Sequence, residues 1–413
     1  MPIDRQRVAW RRAVTREQWR TLVAAQLGWM LDATDVMLYA FALTAIRDEF
    51  GLSSGAAGAL ASVTLVASAG GGALAGWLAD RHGRTRVLMG SILVYSVFTG
   101  LTATARSVAE LALWRALVGI GLGAEWSAGS VLVAETWPAE HRGKAIGFMQ
   151  AGWAVGYILA ALLAALILPG WGWRPLFVAG TLPALLTFWI RRAVPEPEVW
   201  KRQPRHAPAL GEILRPPLAR RTLLATLLCS VLLFAYWGLF TWIPAYLASP
   251  LSQGGAGLGL VKSSAWIVPM QIGAFLGYTL FGFLADRFGR RPVFLFFVLG
   301  AGILVPVYGA GHRSEALLLA LGPLIGFFGH GYFSVFGALL AELFPSRVRG
   351  TAQGLCYNAG RAASALAPAA IGAVAARVGL GGALGITSVF FFAAGALIFT
   401  LPETRGADLE GAQ

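Results

Sequence analysis

Two carboxylates lie within an otherwise apolar stretch near the start of the chain. The stretch reads GWMLDATDVMLYAF over residues 28–41, and its two acids are Asp32 and Asp35. A spacing of three residues places both side chains on one face of a helix. Because ionisable groups at membrane depth are costly and usually serve an ion or substrate pathway, the pattern predicts a helix with a functional polar face.

Arg115 is the basic residue whose depth matches these acids. If the first helix enters the membrane near residue 20, a rise of ~1.5 Å per residue puts Asp35 about 22 Å inside. A fourth helix that starts near residue 108 on the other side places Arg115 about 10 Å below that surface. Across a core of ~30 Å the depths nearly coincide, which predicts a buried pair and ranks Asp35 above Asp32. Two interpretations stay open: movement of Arg115 lets an aspartate take up and release a proton, or the pair is a fixed link between helices.

Two further charged residues are expected at membrane depth. Glu125, in GIGLGAEWSAGS, either relays a proton or makes structural hydrogen bonds. Arg361, in YNAGRAASALAP, lies about 18 Å from the start of its helix by the same rise. Its planar guanidinium matches a carboxylate, so with Tyr357 and Asn358 it predicts an anion site. Pairing with protein carbonyl groups is the alternative.

Aromatic side chains are concentrated in the segment FAYWGLFTWIPAYL. Those that could form the wall of a substrate pocket are Tyr236, Trp237 and Phe240. Trp242 and Tyr246, near the outer end of the helix, are expected in the interfacial aromatic belt. His330 and Tyr332 are weaker candidates, because a lone histidine among glycines more often makes a packing hydrogen bond.

The composition predicts an all-α membrane protein. The 413 residues are 57% hydrophobic and 13% charged, which leaves too little polar surface to cover a water-soluble globule. A helix needs about 20 apolar residues to cross the hydrocarbon core. Twelve such helices are expected near residues 20–46, 56–79, 87–105, 108–134, 142–167, 172–192, 220–248, 260–284, 292–310, 314–340, 349–376 and 380–401.

The net charge of +13 is interpreted as a topology signal. Lys and Arg are concentrated in the first 20 residues and around the middle of the chain, whereas alternate loops hold single charges. Since this excess marks the cytoplasmic side, we expect a multi-pass plasma membrane protein with both termini cytoplasmic. A nucleic-acid partner would require the basic residues to cluster on a soluble face. Cys229 and Cys356 have no metal-binding or disulfide spacing, and neither a metal nor a cofactor is expected.

The chain contains an internal repeat. GWLADRHGR at 76–84 recurs as GFLADRFGR at 282–290, and AETWPAEHRGKA at 134–145 recurs as AELFPSRVRGTA at 341–352. VPE at 194–196 likewise corresponds to LPE at 401–403. A nearly constant offset of this kind indicates two six-helix bundles of the same topology. The predicted organisation is an N-terminal tail 1–19, a bundle 20–192, a linker 193–219, a bundle 220–402 and a C-terminal tail 403–413.

The repeated loop resembles a motif of the major facilitator superfamily, found between its helices 2 and 3. The residues that carry this resemblance are Gly76, Asp80, Arg81, Gly83, Arg84 and Arg86, and in the second copy Gly282, Asp286, Arg287, Gly289, Arg290 and Arg291. PETRG at 402–406 is similar to the end of helix 12 in the sugar-porter branch. The resemblance implies a latch that holds the bundles closed on the cytoplasmic side, formed by Asp80, Arg81, Arg84, Asp286, Arg287 and Arg290.

The first helix resembles one branch of this superfamily in particular. WMLDATD is similar to the LLDGFD-like segment of organic-acid/proton symporters, including the sialate and aromatic-acid branches, with Ala33 and Thr34 in place of glycine and an aromatic residue. The segment around Glu125 is similar to GMAGEYGSS of the sialate type. The resemblance implies proton-coupled symport of a small organic anion, a monocarboxylate or a sugar acid, by alternating access, by a monomer in the bilayer.

Other functions remain as alternatives. An aromatic-acid or other metabolite transporter of the same superfamily fits the same residues. A sugar facilitator fits PETRG but leaves the two aspartates of the first helix unexplained. An efflux carrier is disfavoured because GWAVGYILAALL lacks the glycine–proline signature of antiporter helix 5. No nucleophile, metal cluster or phosphate-binding loop supports an enzyme, and the lack of a sizeable soluble domain argues against a receptor.

Overall fold

The computed structural model describes residues 14–52, 54–182, 184–196 and 210–406, and within them the chain is helical with no strand. Twelve segments, α1 to α12, follow one another across the molecule. The first six are α1 Arg16–Phe50, α2 Ser54–His82, α3 Arg84–Thr102, α4 Val108–Thr136, α5 Arg142–Trp171, and α6, made of Trp173–Ala179 and Ala184–Ala193. A single helical turn, Leu210–Ile213, precedes the second half.

The second half repeats the arrangement. Its first four segments are α7, made of Leu218–Phe240 and Ile243–Ala248, α8 Gly259–Phe288, α9 Arg290–Ala310, and α10, made of Glu315–Gly331 and Phe333–Leu343. α11 begins with Arg349–Ser364 and continues into Ala367–Leu397, which Gly379 divides into the end of α11 and the whole of α12. Gly379 has φ +75°, a conformation that glycine adopts at little cost.

Nine segments in the described part of the chain are long and apolar enough to cross a membrane. The three that fall short are α1, α6 and α11. α6 is divided into two short helices, Trp173–Ala179 and Ala184–Ala193, whereas α1 and α11 carry predicted polar residues, among them Asp32, Asp35, Asn358 and Arg361. Two of the three segments that fall short therefore carry candidate functional groups.

The two bundles meet through repeat-related helix pairs. α2 packs against α11, and α8, the repeat of α2, packs against α5. The backbones approach closely at both crossings: a Cβ on Gly76 would lie 2.6 Å from the Gly350 carbonyl oxygen, and one on Gly147 would lie 2.7 Å from that of Tyr278. Small residues allow membrane helices this proximity.

The predicted domain boundaries fall partly outside the described residues. Residues 197–209 of the predicted linker, 1–13 of the N-terminal tail and 407–413 of the C-terminal tail are outside them. α6 ends at Ala193 and α7 begins at Leu218. We call this end of the molecule the linker face; α2, α4, α8 and α10 also end there, and α3, α5, α9 and α11 begin there.

Candidate functional site

Both carboxylate oxygens of Asp35 accept hydrogen bonds inside the first bundle. Thr99 Oγ1 donates to Asp35 Oδ1, and Arg115 Nη1 donates to Asp35 Oδ2 at 3.3 Å. The guanidinium carbon of Arg115 also lies 4.8 Å from the centre of the Tyr39 ring. The Asp35–Arg115 pair predicted from depth is thus present, and it links α1, α3 and α4.

Asp32 has a different environment, although it lies one turn away. It is buried, yet neither carboxylate oxygen has a hydrogen-bond partner among the described residues. The charge of Arg361 in the opposite bundle attracts it, and the charge of Asp35 repels it. Asp32 is therefore the acid of α1 that interacts across the bundle interface.

Glu125 is a second buried carboxyl group for which the described residues supply no hydrogen-bond donor. It packs against Gly28, where a Cβ would lie only 2.1 Å from Glu125 Oε1. Gly28 precedes Asp32 by one helical turn, and the charges of Asp32 and Glu125 repel each other. Two carboxyl groups in a dry region without donors cannot both be ionised at low cost, which makes this pair suited to holding a proton.

Arg361 lies at the interface between the bundles, on α11. Its Nη1 donates to Ser68 Oγ of α2 at 3.3 Å, its Nε has no partner within the described chain, and its guanidinium carbon lies 5.3 Å from the Tyr357 ring centre. Tyr357 in turn stacks on Trp126 of α4, with ring centres 3.7 Å apart. A guanidinium has five N–H donors, and the Ser68 hydroxyl and the Tyr357 side chain leave Nε of Arg361 for an anion.

Asn358 also faces the first bundle. Its Nδ2 donates to the Gly354 carbonyl at 2.9 Å, and the side chain packs where a Cβ on Gly72 of α2 would lie 2.2 Å from Nδ2. The three substrate-side residues predicted on α11 therefore all lie against α2 or α4.

An aromatic cluster connects the two bundles beside these charges. The ring centre of Trp29 on α1 lies 4.9 Å from that of Trp153 on α5, and the ring centre of Trp153 lies 6.3 Å from that of Trp237 on α7. Tyr236 contacts Trp237, and its ring centre is 4.8 Å from that of Phe240. The predicted wall residues are thus buried together, and the cluster extends into the first bundle.

Three of the aromatic and histidine predictions can be compared with their contacts. Tyr246 was expected in the interfacial belt, and this is wrong: it is 0% exposed and donates to the Tyr308 carbonyl at 2.8 Å. Trp242, partly buried, donates to the Pro368 carbonyl at 2.9 Å. His330 Nδ1 lies 3.1 Å from the carbonyl oxygen of Gly326, one turn earlier on the same helix. The hydrogen bond between helices that was expected of it stays a prediction.

Sequence reasoning did not identify Trp29, Trp126 and Trp153. Trp29 lies in the same 14-residue stretch as Asp32, and Trp126 directly follows Glu125, so their position beside a buried acid was an available signal. Trp153 had no local signal, because only the packing of α5 between α1 and α7 brings it into the cluster.

A second constellation, at the linker face, occurs once in each bundle. In the first, Arg84 pairs with Asp80 at 3.0 Å and with Glu135 at 3.1 Å. In the second, Arg290 pairs with Asp286 at 2.6 Å and with Glu342 at 2.9 Å. Glu135 and Glu342, which lie in the repeated segments 134–145 and 341–352, are therefore acceptors for Arg84 and Arg290.

Each half of this constellation also binds the other bundle. Asp80 Oδ2 accepts from the Thr351 backbone N–H at 2.8 Å, and Asp286 Oδ2 accepts from that of Lys144 at 3.0 Å. Both donors are in the first turn of a helix, where the dipole favours a carboxylate.

Arginines complete the contact between the bundles. Arg349 of α11 donates to Glu135 at 3.0 Å, and Arg142 of α5 donates to Glu342 at 3.2 Å. The linker face is closed by these reciprocal pairs. Arg142 and Arg349 were missed as site residues, although both lie in the repeated HRGKA and VRGTA segments.

Arg81 and Arg287 lie outside this constellation. Both are exposed, with the Arg81 guanidinium 5.5 Å from the Trp77 ring centre and that of Arg287 5.2 Å from the Phe288 ring centre. The structure brings four of the six predicted latch residues together and leaves these two at the surface.

Glu196 and Glu403 hold the starts of α3 and α9. Glu196 accepts from the backbone N–H groups of Thr85 and Arg86 at 3.1 Å, and Glu403 accepts from those of Arg290 and Arg291 at 2.8 and 3.0 Å. Although burial acts to raise it, these backbone hydrogen bonds and the charge of Arg290 hold the pKa of the Glu403 carboxyl below its ordinary value. The repeated VPE and LPE segments thus cap repeat-related helices.

Comparison with known proteins identifies the family. The model of the Major Facilitator Superfamily matches residues 27–276 and 253–412. The chain is 36% identical over 381 residues to the cis,cis-muconate transport protein of Acinetobacter baylyi, which covers 90% of each chain. It is 30% identical over 388 residues to the sialic acid transporter NanX of Escherichia coli, which covers 93% of this chain and 94% of the relative.

The fold agrees with a solved structure of the same superfamily. The proton:xylose symporter XylE, bound to 6-bromo-6-deoxy-D-glucose, superposes with a TM-score of 0.77 over 95% of this chain and 98% of that chain. The sequence identity is 21%, so this likeness concerns the fold. The predicted superfamily and its architecture of two six-helix bundles are confirmed, and this integral membrane protein belongs to the major facilitator superfamily of transporters.

Proposed function

We propose that the protein is a proton-coupled symporter that carries a small organic anion by alternating access. The observation that carries the proposal is a pair of buried carboxyl groups, Asp32 and Glu125, that have no donor among the described residues, together with the attraction of Asp32 to the buried Arg361 of the opposite bundle. The acids lie in one bundle and the arginine in the other. Opening and closing of the interface would therefore change how strongly they interact.

Arg361 is proposed to bind the carboxylate of the substrate. Its described partners are the Ser68 hydroxyl and the Tyr357 side chain, and a guanidinium fork fits a carboxylate through two parallel hydrogen bonds. The muconate and sialic acid relatives are named for organic acids, which supports this substrate class. Tyr357 and Asn358 flank the arginine on the same helix.

Asp32 and Glu125 are proposed as the groups that exchange the proton. Asp35 has both oxygens occupied by Thr99 and Arg115, so its contacts favour a fixed link between helices. This reverses the order expected from the sequence. Asp35 and Arg115 would then support the proton site by fixing α1 against α3 and α4.

Competition between Asp32 and the substrate carboxylate for Arg361 would couple transport of the proton to transport of the anion. When Asp32 is ionised, its charge is attracted to Arg361 and opposes the arrival of a second anion. When Asp32 is protonated, Arg361 is free to bind the substrate carboxylate. Substrate and proton would therefore bind together, as symport requires, and the reciprocal pairs of the linker face would separate when the site opens to that side.

The aromatic cluster favours a flat acid among the organic anions. The rings of Trp29, Trp153 and Trp237 and those of Tyr236 and Phe240 lie beside the charged centre. Aromatic faces stack well on planar, unsaturated groups. An aromatic or conjugated acid is therefore the second, narrower candidate for the substrate.

Uptake into proteoliposomes tests the proposal. Purified protein would be given labelled muconate, benzoate, sialate, lactate and xylose, with and without an inward proton gradient. We expect an acid to accumulate only with the gradient, and muconate or benzoate to exceed lactate. Accumulation of xylose, or acid uptake that merely equilibrates under the gradient, would contradict coupled acid transport.

A further inference from the structure

A basic cavity of about 890 Å³ opens at the linker face of the second bundle. It lies between the starts of α7 and α9 and the end of α12. Its charged lining consists of Arg220, Arg221 and Arg291, and its apolar lining includes Leu224, Phe399 and Leu401. None of the described residues that line it is acidic.

The three arginines are held by backbone oxygens or are unbound. Arg221 Nη1 donates to the Leu343 carbonyl at 3.1 Å, and Arg291 Nη2 donates to the Phe399 carbonyl at 3.0 Å. Arg291 Nε is buried without a hydrogen-bond partner in the described part of the molecule. Arg220 is exposed. Three positive charges thus converge on the cavity, and none of the described residues that line it is a carboxylate that could balance them.

The acid closest in sequence, Glu403, does not balance them either. Its two carboxylate oxygens accept the backbone N–H groups of Arg290 and Arg291. The contact fixes the start of α9 and leaves the Arg291 side chain directed to the cavity and to Phe399, whose ring centre is 5.1 Å from the guanidinium.

The cavity opens beside exposed apolar side chains. Leu223 on α7 is 67% exposed and Phe399 is 56% exposed, as expected for side chains that face lipid at the surface of a membrane helix. The arginines lie at the helix ends just beyond them. One wall is therefore suited to acyl chains and the other to an anionic headgroup.

The cavity at the repeat-related position in the first bundle is smaller and contains an acidic residue. A smaller cavity of about 370 Å³ lies between the start of α1 and the end of α6, with Glu17, Arg20 and Arg192 in its lining. Its acid offsets one of its two arginines. The repeat therefore provides an internal comparison in which the second-bundle cavity is larger and more positive.

We propose that the second-bundle cavity binds the phosphate headgroup of an anionic phospholipid from the leaflet at the linker face. Arginine forks bind phosphate oxygens through paired, charge-assisted hydrogen bonds. Basic pockets at helix ends attract anionic headgroups for the same reason. The apolar wall favours a lipid over a free phosphate compound. A bound headgroup would bridge the ends of α7, α9 and α12.

Native mass spectrometry of the delipidated full-length protein in detergent tests the proposal. The probes are phosphatidylglycerol, phosphatidylcholine and soluble glycerol phosphate. We expect phosphatidylglycerol to bind more tightly than the other two. Arg220→Gln should weaken this binding about fivefold, the effect of one basic residue near an anionic surface, whereas Arg220→Lys should retain most of it.

Arg86→Gln is the matched control, because Arg86 is an exposed arginine of the linker face outside the cavity. Equal losses in Arg220→Gln and Arg86→Gln would indicate general surface charge and overturn the site. Equal binding of glycerol phosphate and phosphatidylglycerol would overturn the lipid assignment. Arg220 is exposed, so an unchanged unfolding temperature is expected and loss of fold should not obscure the result.

Discussion

At the scale of single residues, neighbouring acids on one helix differ in what surrounds them. Asp35 is bound by Thr99 and Arg115, and Asp32 has no donor among the described residues. A carboxyl group without donors gains less from being ionised than one that accepts two hydrogen bonds. This difference is the reason why we propose the proton-exchanging role for Asp32 rather than for Asp35.

Substitution separates these two roles. Asp32→Asn should reduce proton-driven accumulation from about tenfold per pH unit to near unity while substrate exchange continues, because an amide cannot exchange a proton. Asp35→Asn should instead lower the yield of folded protein, since Arg115 loses its buried partner at a cost of about 3–5 kcal/mol. Uptake and exchange in proteoliposomes, with thermal unfolding, measure both. Native accumulation in Asp32→Asn would refute the assignment.

Arg361 gives a second prediction at this scale. Arg361→Ala should weaken binding of an acid substrate by about 30-fold or more, as expected when a buried charge partner is truncated, and Arg361→Lys should weaken it less. The uncharged ester of the same acid should bind the native and Ala proteins alike. Equilibrium binding of acid and ester measures this preference. If Arg361→Ala keeps the preference for the acid, the anion is held elsewhere, and Arg115 is the next candidate.

Sequence reasoning predicted the residues of the centre better than their contacts. The spacing of Asp32 and Asp35 predicted that they share one helix face. The helical rise predicted that Asp35 and Arg115 lie at similar depths. Neither could show that Thr99 occupies the second oxygen of Asp35, since that contact comes from α3. The same limit explains Tyr246: its aromatic type suggested an interface, and only the packing against Tyr308 shows that it is buried.

At the scale of helices, the ends of α2, α4, α8 and α10 determine how the linker face closes. Glu342 accepts from Arg142, Arg290 and the Thr404 hydroxyl. Losing it would remove the carboxylate that two buried guanidinium groups share, although Arg290 would keep its pair with Asp286. Such a loss is far more costly than that of an exposed pair, whose contribution is about 0–1 kcal/mol.

A matched pair of substitutions measures this difference. Glu342→Ala should lower the unfolding temperature by several degrees and expose the linker face to cysteine-reactive probes. Glu315→Ala removes an exposed partner of Lys262 and should change neither. Thermal unfolding and the labelling rate of an introduced Thr351→Cys report the two effects. Similar behaviour of the two variants would mean that the buried pairs do not hold the face closed.

The helices themselves were predictable, and their interruptions were less so. All twelve predicted spans correspond to helical segments, because long apolar runs leave little choice in a membrane. The break at Tyr332 had no clear local signal, whereas Pro244 follows the break at Thr241–Trp242 and Gly379 lies at a turn between two predicted helices. The sequence showed Glu196 and Glu403 only as members of the repeated VPE and LPE segments. It could not show that they cap helices, since each cap is a contact between distant parts of the chain.

At the scale of the whole molecule, the distribution of Lys and Arg predicts that the linker face is cytoplasmic. Arg215→Cys at this face and Ser107→Cys at the opposite face place single reactive thiols at exposed positions. An impermeant maleimide should label Ser107→Cys in intact cells and Arg215→Cys only after lysis. The native Cys229 and Cys356 are buried and should not react. The reverse pattern of labelling would invert the topology.

The reciprocal binding at the linker face also bears on how such a chain could arise. Each half supplies an aspartate for the helix start of the other half and a glutamate for its arginine. A surface that recognises its own copy is what a two-fold dimer requires. A six-helix precursor would therefore have had all it needed to pair with itself and close this face. The buried centre has no such symmetry, because its acids lie in one half and Arg361 lies in the other. This difference between the halves would therefore have arisen after the two copies were duplicated and fused.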